Sequence, residues 1–108
     1  MSKPRIWISN ATPEAGELVR VRALIVHRME SGFSLDATGE PIARNIVHQF
    51  TAKINNELLF SWEPETAISQ NPYIEFTFVA QSSGELQLEW VDDQGKIIQD
   101  QIALQLNT

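Results

Sequence analysis

Four side chains in the first half of the chain have the chemistry of metal ligands: His27 and His48, with Glu30 and Asp36 near the first histidine. Imidazole nitrogens and carboxylate oxygens are common donors to zinc. No close spacing motif ties the two histidines together, and such a set arises in many domains that bind no metal. The plainer reading makes both histidines structural. A small metal-dependent or redox enzyme using His27 and His48 is the rival to a binding protein. Asp92 and Asp93 offer a second possible chemistry, an acid–base dyad in which two carboxyls share a proton. Adjacent strand residues point to opposite faces, which works against sharing. Gln94-Gly95 follow at once, so the pair is expected to form a solvated hairpin tip. No serine stands in a G-x-S-x-G setting. No two of the five glycines are closer than seven positions, so no phosphate-cradling loop is available.

Composition narrows the classes further. There is no cysteine, so thiolate chemistry, cysteine ligands and disulfides are all excluded. Fourteen acidic residues against eight basic ones give a net charge of −6, and no run of Lys or Arg exists. Nucleic acid and anionic membrane surfaces both require a basic footprint that this chain lacks. The longest unbroken apolar run covers residues 23–26, far short of a membrane span. The opening residues, Met1-Ser2-Lys3-Pro4-Arg5-Ile6, carry charge but no apolar h-region, so no secretory signal peptide is expected.

The elements that must position these residues are strands. In residues 17–27, Val19, Val21, Ala23 and Ile25 share one face while Arg20 and Arg22 take the other. In residues 45–55, Ile46, Phe50, Ala52 and Ile54 fall in phase with His48. Leu58, Phe60 and Trp62 alternate next, then Ile74, Phe76 and Phe78, then Leu86, Leu88 and Trp90. Ile98, Ile102, Leu104 and Leu106 close the series, and a short strand at residues 6–8 opens it. Period-two alternation marks pleated strands with one buried face. The aromatics, Trp7, Trp62 and Trp90 among them, read mostly as core. The fold class is therefore all-β: an immunoglobulin-like β-sandwich of about seven strands with no disulfide, in one domain over residues 1–108.

Turns and exceptions complete the pattern. Asn55-Asn56 suits a tight hairpin because asparagine tolerates positive φ. Residues 28–44 form a connection far longer than a hairpin loop and rich in turn formers, and residues 64–72 form a shorter crossing. Asp100 falls on the apolar face of the last strand, where a bulge or break is expected to re-aim it. Tyr73 is out of phase with Ile74, Phe76 and Phe78. An outward aromatic there is either an interface anchor or an isolated exposed side chain.

The run His27-Arg28-Met29-Glu30-Ser31-Gly32 resembles the H-x-M-x-S/T-G element of the SoxZ family. Asp36, Gly39, Pro41, Ile42 and Arg44 follow as in that family's D-x-x-G-x-P-I-x-R. Phe50 with Asn55-Asn56 is similar to its F-x-x-x-x-N-G hairpin, with Asn56 in place of the usual glycine. Asn71-Pro72-Tyr73 is similar to A-N-P-Y, with Gln70 replacing the alanine. Ser83-Gly84, the Trp90-Val91-Asp92-Asp93 run with Gly95, and the opening Lys3-Pro4-Arg5-Ile6 complete an ordered set across nearly the whole chain.

The resemblance implies a subunit of a sulfur carrier complex. In that family a SoxY partner carries thiosulfate-derived sulfur on a cysteine of its flexible C-terminal arm, and separate Sox enzymes act on it. The Z subunit binds SoxY, offers surface for transient docking of those enzymes, and carries no sulfur, metal or organic cofactor. Arg28, Met29, Arg44 and Tyr73 are the candidate partner-binding residues. Arg44 either docks a partner or pairs with Glu30, Asp36 or Glu40. A stable SoxY contact is expected to bury about 1,500 Å² or more in total. The isolated chain is expected to be able to self-associate through the same patch. The resemblance also implies a periplasmic site of action; with no signal peptide expected, the chain is expected to reach it by co-export as a folded passenger of SoxY.

Overall fold

Alternating apolar residues fold into seven strands in the computed structural model, which describes residues 3–64 and 71–107. In chain order these are β1 (Arg5–Ile8), β2 (Leu18–Leu24), β3 (Val47–Ile54), β4 (Glu57–Trp62), β5 (Tyr73–Val79), β6 (Gly84–Asp92) and β7 (Ile97–Leu104). They form two sheets, β1-β2-β5 and β4-β3-β6-β7, with every pairing antiparallel. The architecture is the expected immunoglobulin-like sandwich. No helix among the described residues is long and apolar enough to cross a membrane.

Burial of alternate side chains from both sheets makes the core. Val19, Val21 and Ala23 of β2 and Ile74, Phe76 and Phe78 of β5 face Phe50, Ala52, Leu86, Leu88 and Trp90 of the opposite sheet. Phe50 is the hub. Its ring centroid lies 5.0 Å from Trp90, 6.2 Å from Phe60 and 6.0 Å from Phe76 across the inter-sheet gap. Tilted rings at such distances add to the stabilisation of simple area burial. This cluster occupies the layer that a disulfide crosses in antibody domains.

Two irregularities change the expected faces. The pairing of β3 with β6 shifts register between Val47 and Gln49. Val47 and Phe50 are both buried as a result, and His48 is exposed rather than in phase with Phe50. A second shift, between Ala52 and Lys53 opposite β4, leaves Leu58 exposed and draws Leu59 partly inward. One extra residue in a strand reverses the facing of everything beyond it. Trp7, expected in the core, also points outward, because Ile6 and Ile8 on either side take the inner face.

The expected bulge at Asp100 is absent. The β6–β7 ladder runs unbroken from Gly84↔Leu104 to Val91↔Ile97, and Asp100 sits half-buried opposite Leu88. β7 is an edge strand, and an inward-leaning carboxylate there discourages a further strand from pairing. The Asn55-Asn56 turn is as expected, with φ of 51° and 65°. Gly84 packs directly against the Asn55 side chain, whose amide donates to the Ser83 carbonyl (3.0 Å).

The long connection between β2 and β3 is an arm rather than an irregular loop. Isolated bridges pair Glu30 with Asn45 and Leu35 with Pro41. Asp36 builds the tip: its carboxylate accepts from the backbone N–H of Thr38 (2.9 Å) and Glu40 (3.0 Å) and from the Thr38 hydroxyl. Those donors hold the Asp36 carboxyl below its usual range. Residues 33–41 are all exposed, so the outer part of the arm packs on neither sheet. The crossing expected over residues 64–72 falls mostly outside the described residues.

Candidate functional site

The arm is fastened at its base by the residues of the motifs. Inward alternation along β6 continues past Leu86, Leu88 and Trp90 and carries Asp92 into the interior, where its residue exposure is 3%. A buried carboxylate must be hydrogen-bonded. Asp92 accepts from His27 Nε2 at 3.1 Å and from the backbone N–H of Gln94 (3.0 Å) and Lys96 (2.9 Å). Burial alone would raise the Asp92 carboxyl; the His27 bond and the two backbone donors outweigh it and leave the group below the usual carboxylate range. The Met29 N–H donates to His27 Nδ1 at 3.0 Å. Nδ1 therefore carries no proton, and Nε2 is the donor to Asp92. The backbone around His27 is clasped by Asn71: the His27 N–H reaches Asn71 Oδ1 (2.9 Å), and the Asn71 N–H reaches the His27 carbonyl (2.7 Å).

Asp93 points the other way and clamps the arm's returning strand. It accepts Arg44 Nε at 2.7 Å and Nη2 at 2.9 Å, the Ile46 N–H at 3.2 Å, and lies 3.3 Å from His48 Nδ1. Burial again works to raise this carboxyl. The Arg44 fork, the Ile46 N–H and the neighbouring positive charge hold it low. Gly32 makes the close approach possible: its φ is +90°, and a Cβ there would lie 3.2 Å from Arg44 Cβ.

Several expectations are corrected by this geometry. Asp92 and Asp93 are not a solvated hairpin tip; they are two anchors facing opposite sides. Arg44 pairs with Asp93, not with Glu30, Asp36 or Glu40. Met29 offers little contact surface: it is only 6% exposed, has φ of 55°, and its Sδ accepts the Val47 N–H at 3.2 Å. Arg28 is exposed and lies 3.2 Å from Glu30. Arg28, Met29 and Arg44 thus gather at the arm's base, whereas Tyr73 stands on the outer face of β5, half-exposed as expected. His27 and His48 are not brought together as the rival site requires. Both His27 nitrogens are engaged within the fold, and the bulge turns His48 outward. Among the described residues no group of three or more His, Cys, Asp or Glu is placed to hold a metal.

The exposed apolar residues were mostly missed by sequence reasoning. Phe33 (85% exposed) and Leu35 (64%) lie on the arm. Trp7, Leu18, Tyr73 and Val79 lie on the outer face of the three-stranded sheet, where register sets Trp7 opposite Arg22 and Leu18 opposite Val79. The signal for Trp7 was available in the alternation of β1, since neighbouring isoleucines claim the inner face.

Solved structures define the class of fold. The chain is similar to the superoxide reductase (neelaredoxin) from Ignicoccus hospitalis at a TM-score of 0.70 and 12% identity, over 98% of this chain and 81% of that one. It is similar to the sulfur carrier protein SoxY from Chlorobium limicola f thiosulfatophilum at 0.65 and 9%, over 100% and 82%. A hypothetical protein from Pyrococcus horikoshii OT3 matches at 0.64 and 14%, over 96% and 88%. Identities this low establish a shared sandwich and nothing more. Among curated proteins no significant match is found. The family is fixed by sequence: the family model described as "Sulphur oxidation protein SoxZ" matches residues 8–103. The chain belongs to the SoxZ family.

Proposed function

We propose that the chain is the non-catalytic Z subunit of a SoxYZ-type carrier complex, which binds a SoxY subunit and helps present its sulfur-bearing arm to other Sox enzymes. The family match over residues 8–103 carries this reading. The absence of cysteine accords with a subunit that carries no sulfur itself. A tethered carrier works by effective concentration, which keeps the bound intermediate near each enzyme while every visit stays brief. The SoxY contact must then be durable, and the enzyme contacts weak and electrostatically steered.

Co-expression with a tagged SoxY subunit from the same organism tests the reading. A stoichiometric complex that persists on size-exclusion at micromolar concentration is expected; separation at that concentration overturns it. The proposed route to the periplasm is as a folded passenger of SoxY. Fractionation should find the chain in the cytoplasm when it is expressed alone and in the periplasm with SoxY. Export without SoxY refutes the passenger route.

A further inference from the structure

The outer face of β1-β2-β5 differs from the outer face of the opposite sheet in both side-chain chemistry and charge. A shallow groove of about 600 Å³ runs across it, bordered by Trp7, Leu18, Arg20 and Tyr73. Trp, Tyr and Arg are the residue types that most often dominate binding energy at interfaces. All of these side chains rise from paired strands, so the surface is rigid before any partner arrives and little ordering entropy is lost on docking.

Charge selects the partner. The chain carries −6 overall, yet Arg5, Arg20 and Arg22 all lie on this face against the single carboxylate of Glu75. Glu75 pairs with Arg22 at 2.9 Å. Arg20 takes part in no ion pair among the described residues. A second copy of this chain, an occupant of the same patch that the sequence allows, is a poorer fit than SoxY. A twofold contact places the same patch on both sides, so arginines would meet arginines across it.

We infer that this face is the docking surface for the SoxY subunit, which must present an apolar centre rimmed by carboxylates. The inference rests on the proposed function and adds the surface and its chemistry. The arm, with Phe33 and Leu35, is left free for other contacts.

The test measures affinity for purified SoxY from the same organism with four forms of the chain. These are wild type, Arg20→Glu with Trp7→Ala, Phe33→Ser with Leu35→Ser on the arm, and Gln99→Ala with Gln101→Ala on the opposite sheet. The first pair should weaken binding by about 30-fold or more, while the other two pairs stay within about threefold of wild type. A salt titration supplies a readout that a folding defect does not mimic. Wild-type affinity should fall as salt rises, and Arg20→Glu alone, at an unchanged melting temperature, should flatten that dependence. If wild type binds SoxY and the face variants bind equally well, the inference is overturned and the proposed function stands. If the arm pair abolishes binding instead, the docking surface is the arm and the inference is likewise overturned. If wild type itself does not bind SoxY, the proposed function fails and the inference with it.

Discussion

The two sheets of the sandwich turn opposite chemistries to solvent. On β4-β3-β6-β7 the outward side chains are mostly polar, Gln49, Thr51, Lys53, Gln87, Glu89, Gln99 and Gln101 among them; Leu58 and Ile97 are exposed at its margins and no aromatic joins them. On β1-β2-β5 they include Trp7, Leu18, Arg20, Arg22, Tyr73 and Val79. Both sheets obey the same period-two rule, and both inner faces are predominantly apolar, the four-stranded sheet adding the carboxylates of Asp92 and Asp100. A strand needs only one buried face to fold, so the outer face is free to vary with use. The glutamine-rich face meets that minimum. The aromatic and cationic face exceeds it, and the excess exposed apolar surface is unfavourable unless something covers it.

Predictions from this contrast separate fold from recognition. The largest effect belongs to the fold. Asp92→Ala strands the His27 Nε2–H and two backbone donors and should cost roughly 3 kcal/mol in urea unfolding. SoxY affinity of the folded fraction should be unchanged, since Asp92 lies behind both outer faces. If affinity falls in parallel with stability, the two faces are not independent of the latch. Tyr73→Ala should do the reverse. A loss of about 2 kcal/mol in SoxY binding is expected, with the melting temperature nearly constant, as calorimetry of binding and of unfolding would show.

Arg44→Glu comes next. It faces Asp93 with a like charge and should lower stability by about 1 kcal/mol, a modest figure because the pair is partly solvated. A clear drop in thiosulfate turnover in a reconstituted system, at unchanged stability, would instead assign Arg44 to docking. Acid should loosen the same region. Asp92 and Asp93 have folded-state pKa values below their unfolded ones. Their contribution is present in full above the unfolded value of about 4 and is lost as pH falls through the lower folded values. Equilibrium unfolding between neutral pH and strong acid, compared with Asp93→Asn, should show a weaker acid dependence in the variant. The smallest effects are expected from Gln99→Ala with Gln101→Ala, within about 0.5 kcal/mol in stability. Chelation of metals should leave both folding and SoxY binding unaltered; stoichiometric zinc, copper or iron on His27 and His48 would overturn the non-enzymatic reading.

The face contrast also shows what could be read in advance and what could not. The strands were legible because alternation is local: Val19, Val21 and Ala23 announce an inner face without reference to any partner strand. The Asn55-Asn56 turn was legible for the same reason, since positive φ is a property of single residues. The family motifs were legible as strings, but their work was not. Met29 looked like a surface residue in a long loop, and Asp92-Asp93 like a turn, because nothing local says that a loop returns to bury them. Arg20 and Arg22 were correctly set outward, yet the groove they line needs Trp7 and Tyr73, more than fifty positions apart from one another.

By itself, then, the sequence determined the all-β class, the faces of the regular strand stretches and the family, which rest on short-range periodicity and on ordered motifs. Only the tertiary structure decided where the bulges at residues 47–49 and 52–53 reverse the facing of His48 and Leu58, because a bulge is a mismatch between two strands and belongs to neither alone. It also decided that His27, Met29, Arg44 and the two aspartates form one fastening, and that the arginines and aromatics share one face. Those placements come from pairing across long sequence separations, where the burial of a charge is tolerated only if distant donors arrive to meet it.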